Sequence, residues 1–437
     1  MKKNLFMVAA VALMAMVSCN KEEVNNGGVN TTPEPTVIVE FEAGFDIETK
    51  TALDAEGKKT VWTSEDRISI NGQEFKVYEI REDGKAIFVN VADLPSNFAA
   101  PFTAIYPYGS EGKVPAEQTA VAGNFDPKAV IEKATSDNYS LSFKNETSLL
   151  KFQVPTACKT VKLSSDTNLA TSSATVTITG EFKTGTDYYV AVIPGEKKNF
   201  SVMVDDYVVK SAELVKIGGS SIIPMELPYN IYLHAKTERC NWASDGARFA
   251  TWTWGTGVTD SWFNLVAEGG HEGVYRLEVP KGYTTCNFVR MDGNKPENTW
   301  DNKWNQTGNL NIPKDEKNHF YIKEWDGQVV EWGTKDHKLP LKVSFTLTTD
   351  NSKQWWNADD NTYLYLEINN KAQIGSWPGQ KMTKEGDYTW STEIPNNLKD
   401  KTVYLQIHNN SGWIGKKSNV KLGYSQSFLG KEDLGIN

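Results

Sequence analysis

The sequence predicts an all-β, multidomain chain, and three observations carry that reading. Short runs of alternating apolar residues, bounded by Gly, Asn, Asp and Pro, recur throughout, while helical periodicity is nearly absent. Of the 14 tryptophans, all but Trp62 fall after Pro228, so the composition breaks near Leu227-Pro228-Tyr229. Between Tyr229 and Asn437 one order of features appears twice, with a seam near His337-Lys338-Leu339-Pro340. These divide the chain into residues 1–18, 19–35, 36–228, 229–337 and 338–437.

Residues 1–18 open with Lys2 and Lys3, followed by an apolar run from Leu5 to Val17. Crossing a bilayer as a helix takes roughly 20 residues, so this shorter run suits a cleaved export signal. Met16-Val17-Ser18-Cys19 looks like a lipobox, which makes Cys19 the expected lipidation site and the lipid the membrane anchor. Asn20-Lys21-Glu22-Glu23 then resembles the acidic export signal of Bacteroidota lipoproteins, which implies an outer-membrane address facing the cell exterior. From Asn20 to Pro35 the chain lacks aromatic residues and reads as a flexible tether.

Removal of residues 1–18 takes away two lysines and no acid, moving the formal charge from −9 to −11 and excluding nucleic acid as an expected partner. Cys158, Cys240 and Cys286 show no disulfide framework; Cys240 and Cys286 either pair or are buried small hydrophobes.

In residues 36–228 the runs Val37 to Phe41, Arg67 to Ile70, Glu74 to Tyr78, Phe102 to Tyr106, Leu149 to Val154, Ala174 to Ile178, Tyr188 to Ile193 and Phe200 to Val204 all suit strands. Lys50-Thr51-Ala52-Leu53, Val61-Trp62, Asp66 to Ile70 and Tyr188 to Gly195 resemble the fimbrillin-like family of surface lipoproteins. That resemblance implies transthyretin-like β-sandwich domains and, in many members, pili or adhesins.

Each C-terminal module opens with an alternating strand, Asn230 to Leu233 or Lys342 to Leu347. A tryptophan-containing loop follows, at Trp242 or Trp355-Trp356, and then an aromatic-x-aromatic strand. Trp252 and Trp254 with Trp262 serve the first module; Tyr363 and Tyr365 with Trp377 serve the second. A last strand ends in polar residues, Phe288 to Asp292, which includes Arg290, or Tyr404 to His408 with Asn409 and Asn410.

Alternation places Leu364, Leu366 and Ile368 on one face and Tyr363, Tyr365 and Glu367 on the other. The neighbouring strand turns Val403, Leu405 and Ile407 inward and leaves Tyr404, Gln406 and His408 outside. Two outward aromatics beside polar groups suit a sugar ring, whose C–H face stacks on a flat ring while amides and charges bind its hydroxyl rim. Burying about 100 Å² of apolar surface per sugar contributes about 2.5 kcal/mol, so such a site binds in the micromolar to millimolar range. Rings set at an angle would follow the curve of an α-1,4-glucan, and a flat row would suit cellulose. In the first module Phe249, Thr251 and Thr253 make a poor core face, so burial of Trp252 and Trp254 stays open.

Tyr363-x-Tyr365, Ser376-Trp377-Pro378-Gly379 with Lys381-Met382-Thr383, Glu385 to Tyr388 and Asn409 to Gly412 resemble the family-twenty-six starch-binding modules of bacterial amylases. The resemblance implies a starch-binding β-sandwich module whose glucose contacts are Tyr363, Tyr365 and Trp377. Lys381, Gln406 and Asn409 are the expected rim hydrogen bonders, and Trp413 in its glycine-containing loop is a further candidate. Ala247 to Ala250 and Lys303 to Thr307 resemble a related module of starch-handling surface proteins, with Trp252, Trp254 and Trp262 as counterpart platform and Arg290 as its polar candidate. Trp300, Trp304, Trp325, Trp332 and Trp390 read as structural.

No paired carboxylates on a rigid cleft are visible, so no enzymatic activity is expected. The five histidines, His234, His271, His319, His337 and His408, look scattered without metal-ligand spacing, no cofactor is implied, and Asp359-Asp360 is a weak calcium signal. The plan of lipid tether, β-spacer and tandem modules is similar to surface glycan-binding proteins of starch-utilisation systems. This implies starch or maltooligosaccharides as ligand, with an outer-membrane glycan transporter and a surface amylase as partners. The alternative is a fimbrial or adhesin component gripping host glycans.

Overall fold

The computed structural model describes residues 37–45, 61–328, 331–347, 361–409, 414–429 and 433–434. Cys19 and the segments flanking it, Lys50 to Leu53, Trp355-Trp356, Asp359-Asp360 and Asn410 to Trp413 lie outside them. The chain is all-β: between Glu40 and Leu429, the named elements among the described residues are strands apart from the single turns Trp300–Asn302 and Asn396–Leu398.

Seven strands, from Glu40–Phe45 to Ser140–Asn145, close into a barrel around Phe41, Phe75, Phe88 and Trp62. Closure follows from Glu40–Phe45, which pairs antiparallel with Ala86–Asn90 on one side and parallel with Ser140–Asn145 on the other. A sandwich comes next. Its five-stranded sheet, with Tyr207–Ile217 at one edge, faces the three strands Tyr188–Val192, Ser148–Phe152 and Ile222–Pro224 across Val161, Ile178, Val190 and Val202. Every strand expected in this half is present within a few residues. Seven further strands are present among the described residues, including Ala86–Asn90, Cys158–Ser164 and Tyr207–Ile217; the first of these three is buried along its whole length and so shows no alternation.

Two further sandwiches follow. In the first, the sheet holding Asn230–His234 and His319–Tyr321 packs Ile231, Leu233 and Phe320 against Phe249, Cys286 and Phe288 of the sheet holding Arg248–Trp254 and Thr285–Met291. Cys240 and Cys286 are free and buried rather than paired. In the second, Leu341–Thr346 packs against the sheet of Thr362–Ile368, Thr402–Asn409 and Ile414–Lys421. Leu364, Leu366, Val403, Leu405 and Ile407 are all buried, each contributing about 1.5–3 kcal/mol of transfer free energy.

The sandwiches meet through specific contacts. The hairpin tip at Tyr207 lies on the outer face of Asn230–His234, stacking on His271 with ring centroids 4.2 Å apart, while Lys335 pairs with Asp205 at 2.9 Å. At the next seam the buried Arg239 side chain reaches both Glu324 and Glu393, and Lys323 pairs with Glu393 at 2.8 Å.

Candidate carbohydrate-binding surfaces

In the last sandwich, strand register builds the candidate surface row by row. Tyr363 stands opposite His408 on one side and Lys381 on the other, while Tyr365 stands opposite Gln406, which in turn faces Lys416. Directly opposed residues share a face. Tyr363, Tyr365, Gln406, His408 and Lys381 therefore project together, as alternation predicts, with Lys381 exposed and Gln406 half-buried.

Trp377 reaches this face from the loop Ser376-Trp377-Pro378-Gly379. Gly379 has φ of +94°, and a Cβ there would sit 2.2 Å from the Leu364 carbonyl oxygen, so this close approach of loop to strand requires glycine. Trp377 stacks on His408 at 4.5 Å and meets Tyr365 edge-on at 5.4 Å with planes 74° apart, yet stays 53% exposed. His408 also stacks on Tyr363 at 5.3 Å, and its Nε2 donates to the Pro378 carbonyl at 2.9 Å. The ring is thus on the expected face but buried beneath its aromatic neighbours, serving as a pedestal. The Tyr365 hydroxyl donates to Glu367 at 3.2 Å; burial first, and then this carboxylate, raise its pKa above the ordinary tyrosine value.

Asn409 is a correction. It falls on the same side of Thr402–Asn409 as Leu405 and Ile407 and is buried opposite Thr362, so it does not belong to the platform rim. Trp413 lies outside the described residues.

In the preceding sandwich Phe249, Thr251 and Thr253 do form the core face. The two threonines are fully buried, and Thr253 Oγ1 donates to Thr251 Oγ1 at 3.1 Å, satisfying part of their polarity inside the protein. Trp252 and Trp254 accordingly point outward. Trp252 stands between Trp262 and Asn287 in register, with its ring 5.3 Å from Trp262 and the planes 60° apart. Trp300 completes the cluster at 4.6 Å from Trp262 and 5.9 Å from Trp252, with planes 56° and 64° away.

Trp300 is the residue that local reasoning misses, since it reads as structural yet is 43% exposed. The Arg248 side chain donates to the carbonyls of Lys295 and Glu297, and Asn298 donates to Asn264 Oδ1 at 3.0 Å, holding the loop that delivers Trp300 across the sheet. Lys303 Nζ lies 5.3 Å from the Trp300 ring. No local pattern marks such a long-range fastening.

Arg290 is a second correction. It shares the face of Phe288 rather than that of Trp252, is 3% exposed, and donates to the carbonyls of Trp242 and Ser244 and to Asp245 Oδ2 at 2.7, 2.9 and 2.8 Å. Trp304 and Trp325, expected to be structural, are 39% and 50% exposed, whereas Trp390 is buried and Trp332 packs on Phe288 and Phe320.

The histidines are less scattered than they look. His234 Nε2 and His319 Nδ1 share a hydrogen bond of 2.9 Å, and His234 stacks on Tyr321 and His319 on Tyr232 at 4.0 and 4.5 Å. Burial lowers both pKa values to about 3, with the nearby cations adding to the shift. Among the described residues no three His, Cys, Asp or Glu side chains are placed to hold a metal.

No family model and no curated protein sequence matches the chain. Solved structures with some likeness include the CBM26 module CBMbc of Eubacterium rectale Amy13K in complex with maltoheptaose, at 13% identity and TM-score 0.19, covering 46% of this chain and 90% of that one. A Bacteroides uniformis protein named for cell adhesion is similar at 14% identity and TM-score 0.23, covering 44% and 94%. The tip fimbrial protein Mfa3 of Porphyromonas gingivalis is similar at 10% identity and TM-score 0.13, covering 44% and 81%.

Proposed function

We propose that this chain is a non-catalytic, lipid-anchored surface protein that binds starch or a related α-glucan on two aromatic platforms. Tyr363, Tyr365 and Trp377 form one; Trp252, Trp254, Trp262 and Trp300 form the other. The observation that carries this reading is the ring angle. Tyr365 and Trp377 stand 74° apart, and the three mutually contacting tryptophans stand 56–64° apart. A flat β-linked glucan presents successive sugar faces in one plane and would meet only one ring of each pair. A curved α-linked chain turns its faces and meets both.

The polar rim comes from Lys381, Gln406 and Lys416 beside one platform, and from Asn264, Asn298 and Lys303 near the other. Each platform alone supports weak binding, and two on one chain raise avidity on a polymer through effective concentration. The Arg239 and Lys323 ion pairs across the seam favour a defined spacing between them. Cys19 would carry the lipid at the outer membrane, facing outward, where a glycan transporter and a surface amylase are the proposed partners.

Affinity electrophoresis of the chain beginning at Asn20, in gels containing amylopectin, dextran, xylan or mucin, tests the ligand. Retardation by amylopectin alone, weakened by Trp252→Ala and by Trp377→Ala, is the expected result. Retardation by mucin without amylopectin would replace this reading with that of an adhesin for host glycans.

A further inference from the structure

Trp304 and Trp325 belong to neither platform, yet they are two of the four exposed tryptophans among the described residues. Both lie against one guanidinium, with Arg290 Cζ 4.6 Å from the Trp304 ring centroid and 4.8 Å from that of Trp325. Arg290 is itself immobilised by its hydrogen bonds to Trp242, Ser244 and Asp245. The Trp325 backbone is tied down as well, its carbonyl accepting from Trp242 Nε1 and Asn305 Nδ2, each at 2.8 Å. Two large apolar rings are therefore held from beneath with outer surfaces free. Rings fixed before a ligand arrives spare it the side-chain ordering that weakens binding to mobile surface groups.

Strand parity separates this patch from the nearby platform. Asn287 stands in register with Trp252, and Arg290, three residues further along Thr285–Met291, points to the opposite side of the sheet. Trp325 also lines a cleft of about 700 Å³ between the two sandwiches, together with Glu324, Asp326, Lys342, Glu385 and Thr392. Its cations are all matched, and Asp326, which accepts from the Gln328 backbone N–H at 3.0 Å, adds one more carboxylate. Arg239 pairs with Glu324 and Glu393, Lys323 with Glu331 and Glu393, and Lys342 with Glu324 and Glu385. A phosphate, sulfate or sialic acid would have to break those pairs. A neutral ligand with many hydroxyls would not, because hydroxyls donate to carboxylates that already hold cations.

We propose that Trp304, Trp325 and the adjoining cleft form a third carbohydrate-binding surface for neutral oligosaccharide. It rests on the proposed function for its ligand class, but its residues are separate from both platforms. A polysaccharide would then be held at two separate surfaces of the first module, with the cleft guiding it toward the second.

The test titrates maltoheptaose into the chain beginning at Asn20 by calorimetry, using wild type, Trp252→Ala/Trp377→Ala, Trp304→Ala/Trp325→Ala and the quadruple variant. Trp325→Phe, which keeps a flat ring, guards against loss of fold. The expected result is residual binding in Trp252→Ala/Trp377→Ala that falls about tenfold or more in the quadruple variant and is retained with Trp325→Phe. Wild-type binding with a Trp304→Ala/Trp325→Ala profile identical to it would overturn this third surface and leave the platforms standing. No wild-type binding would overturn both. Sedimentation velocity without sugar adds one more outcome: a dimer lost in Trp304→Ala/Trp325→Ala would overturn the sugar site and assign the patch to a second copy of the chain.

Discussion

Replacing Trp377 by alanine isolates the energetic content of one platform. An aromatic side chain carries about 150–250 Å² of surface, and Trp377 keeps 53% exposure while stacked on His408, so about 100 Å² is free to meet a sugar. At about 25 cal/mol per Å² that surface contributes about 2.5 kcal/mol, or roughly 60-fold in affinity. Coverage by half that area would still give nearly tenfold. The fold should survive, because His408 keeps its hydrogen bond to Pro378 and the loss is confined to two partly exposed ring contacts, with His408 and Tyr365, each worth about 0.5–1.5 kcal/mol. The assay is calorimetric titration of maltoheptaose in a Trp252→Ala/Trp325→Ala background, with thermal melts alongside. An affinity change below threefold with an unchanged melt would refute the reasoning, since the most exposed ring of the platform would then carry no binding energy.

Gly379→Ala should lower stability by roughly 1–3 kcal/mol and weaken the same platform, because a Cβ cannot fit 2.2 Å from the Leu364 carbonyl; urea melts and the titration read both effects. Arg239→Ala removes the cation bridging Glu324 and Glu393, which keep Lys342 and Lys323 as partners, and should cost about 1.5–3 kcal/mol, seen in calorimetric melts as earlier, less coupled unfolding of the last sandwich. Acid should destabilise the junction at His234 and His319. Their folded pKa values are about 3 against an ordinary 6.5, so between those values the unfolded chain binds protons that the folded chain does not. Stability is then full above about pH 6.5 and falls as pH drops toward 3, by about 2 kcal/mol per ring at pH 5 if each is taken singly. The surrounding His271, His337, Lys335 and Lys338 oppose protonation, and His319→Gln should flatten the dependence in thermal melts between pH 8 and 4.5.

What the sequence made legible was periodicity. In Thr362–Ile368 and Thr402–Asn409 each inward aliphatic residue is separated by one outward residue, so two strands sufficed to place Tyr363, Tyr365, Gln406 and His408. The same parity applied strictly would have turned Asn409 inward with Ile407, and Arg290 inward with Phe288. Position near the end of a strand was the wrong criterion for those two. Trp300 differs in kind, since its place depends on Arg248 and Asn298 reaching across the sheet, and no short window contains that information. The gathering of His234, His271, His319 and His337 likewise arises from a parallel strand pair and a hairpin from the previous sandwich. Thr251 and Thr253 form a buried face because one hydroxyl bonds the other, which hydropathy alone scores against.

The central claim is that angled aromatic rings select a curved glucan. Its most direct test is tryptophan fluorescence of the chain beginning at Asn20 during titration with maltoheptaose and, separately, with a cello-oligosaccharide of equal length. The account predicts saturable quenching by maltoheptaose, diminished in Trp252→Ala/Trp377→Ala, and no saturable response to the β-linked sugar. Equal response to both sugars, or none to maltoheptaose, would contradict it.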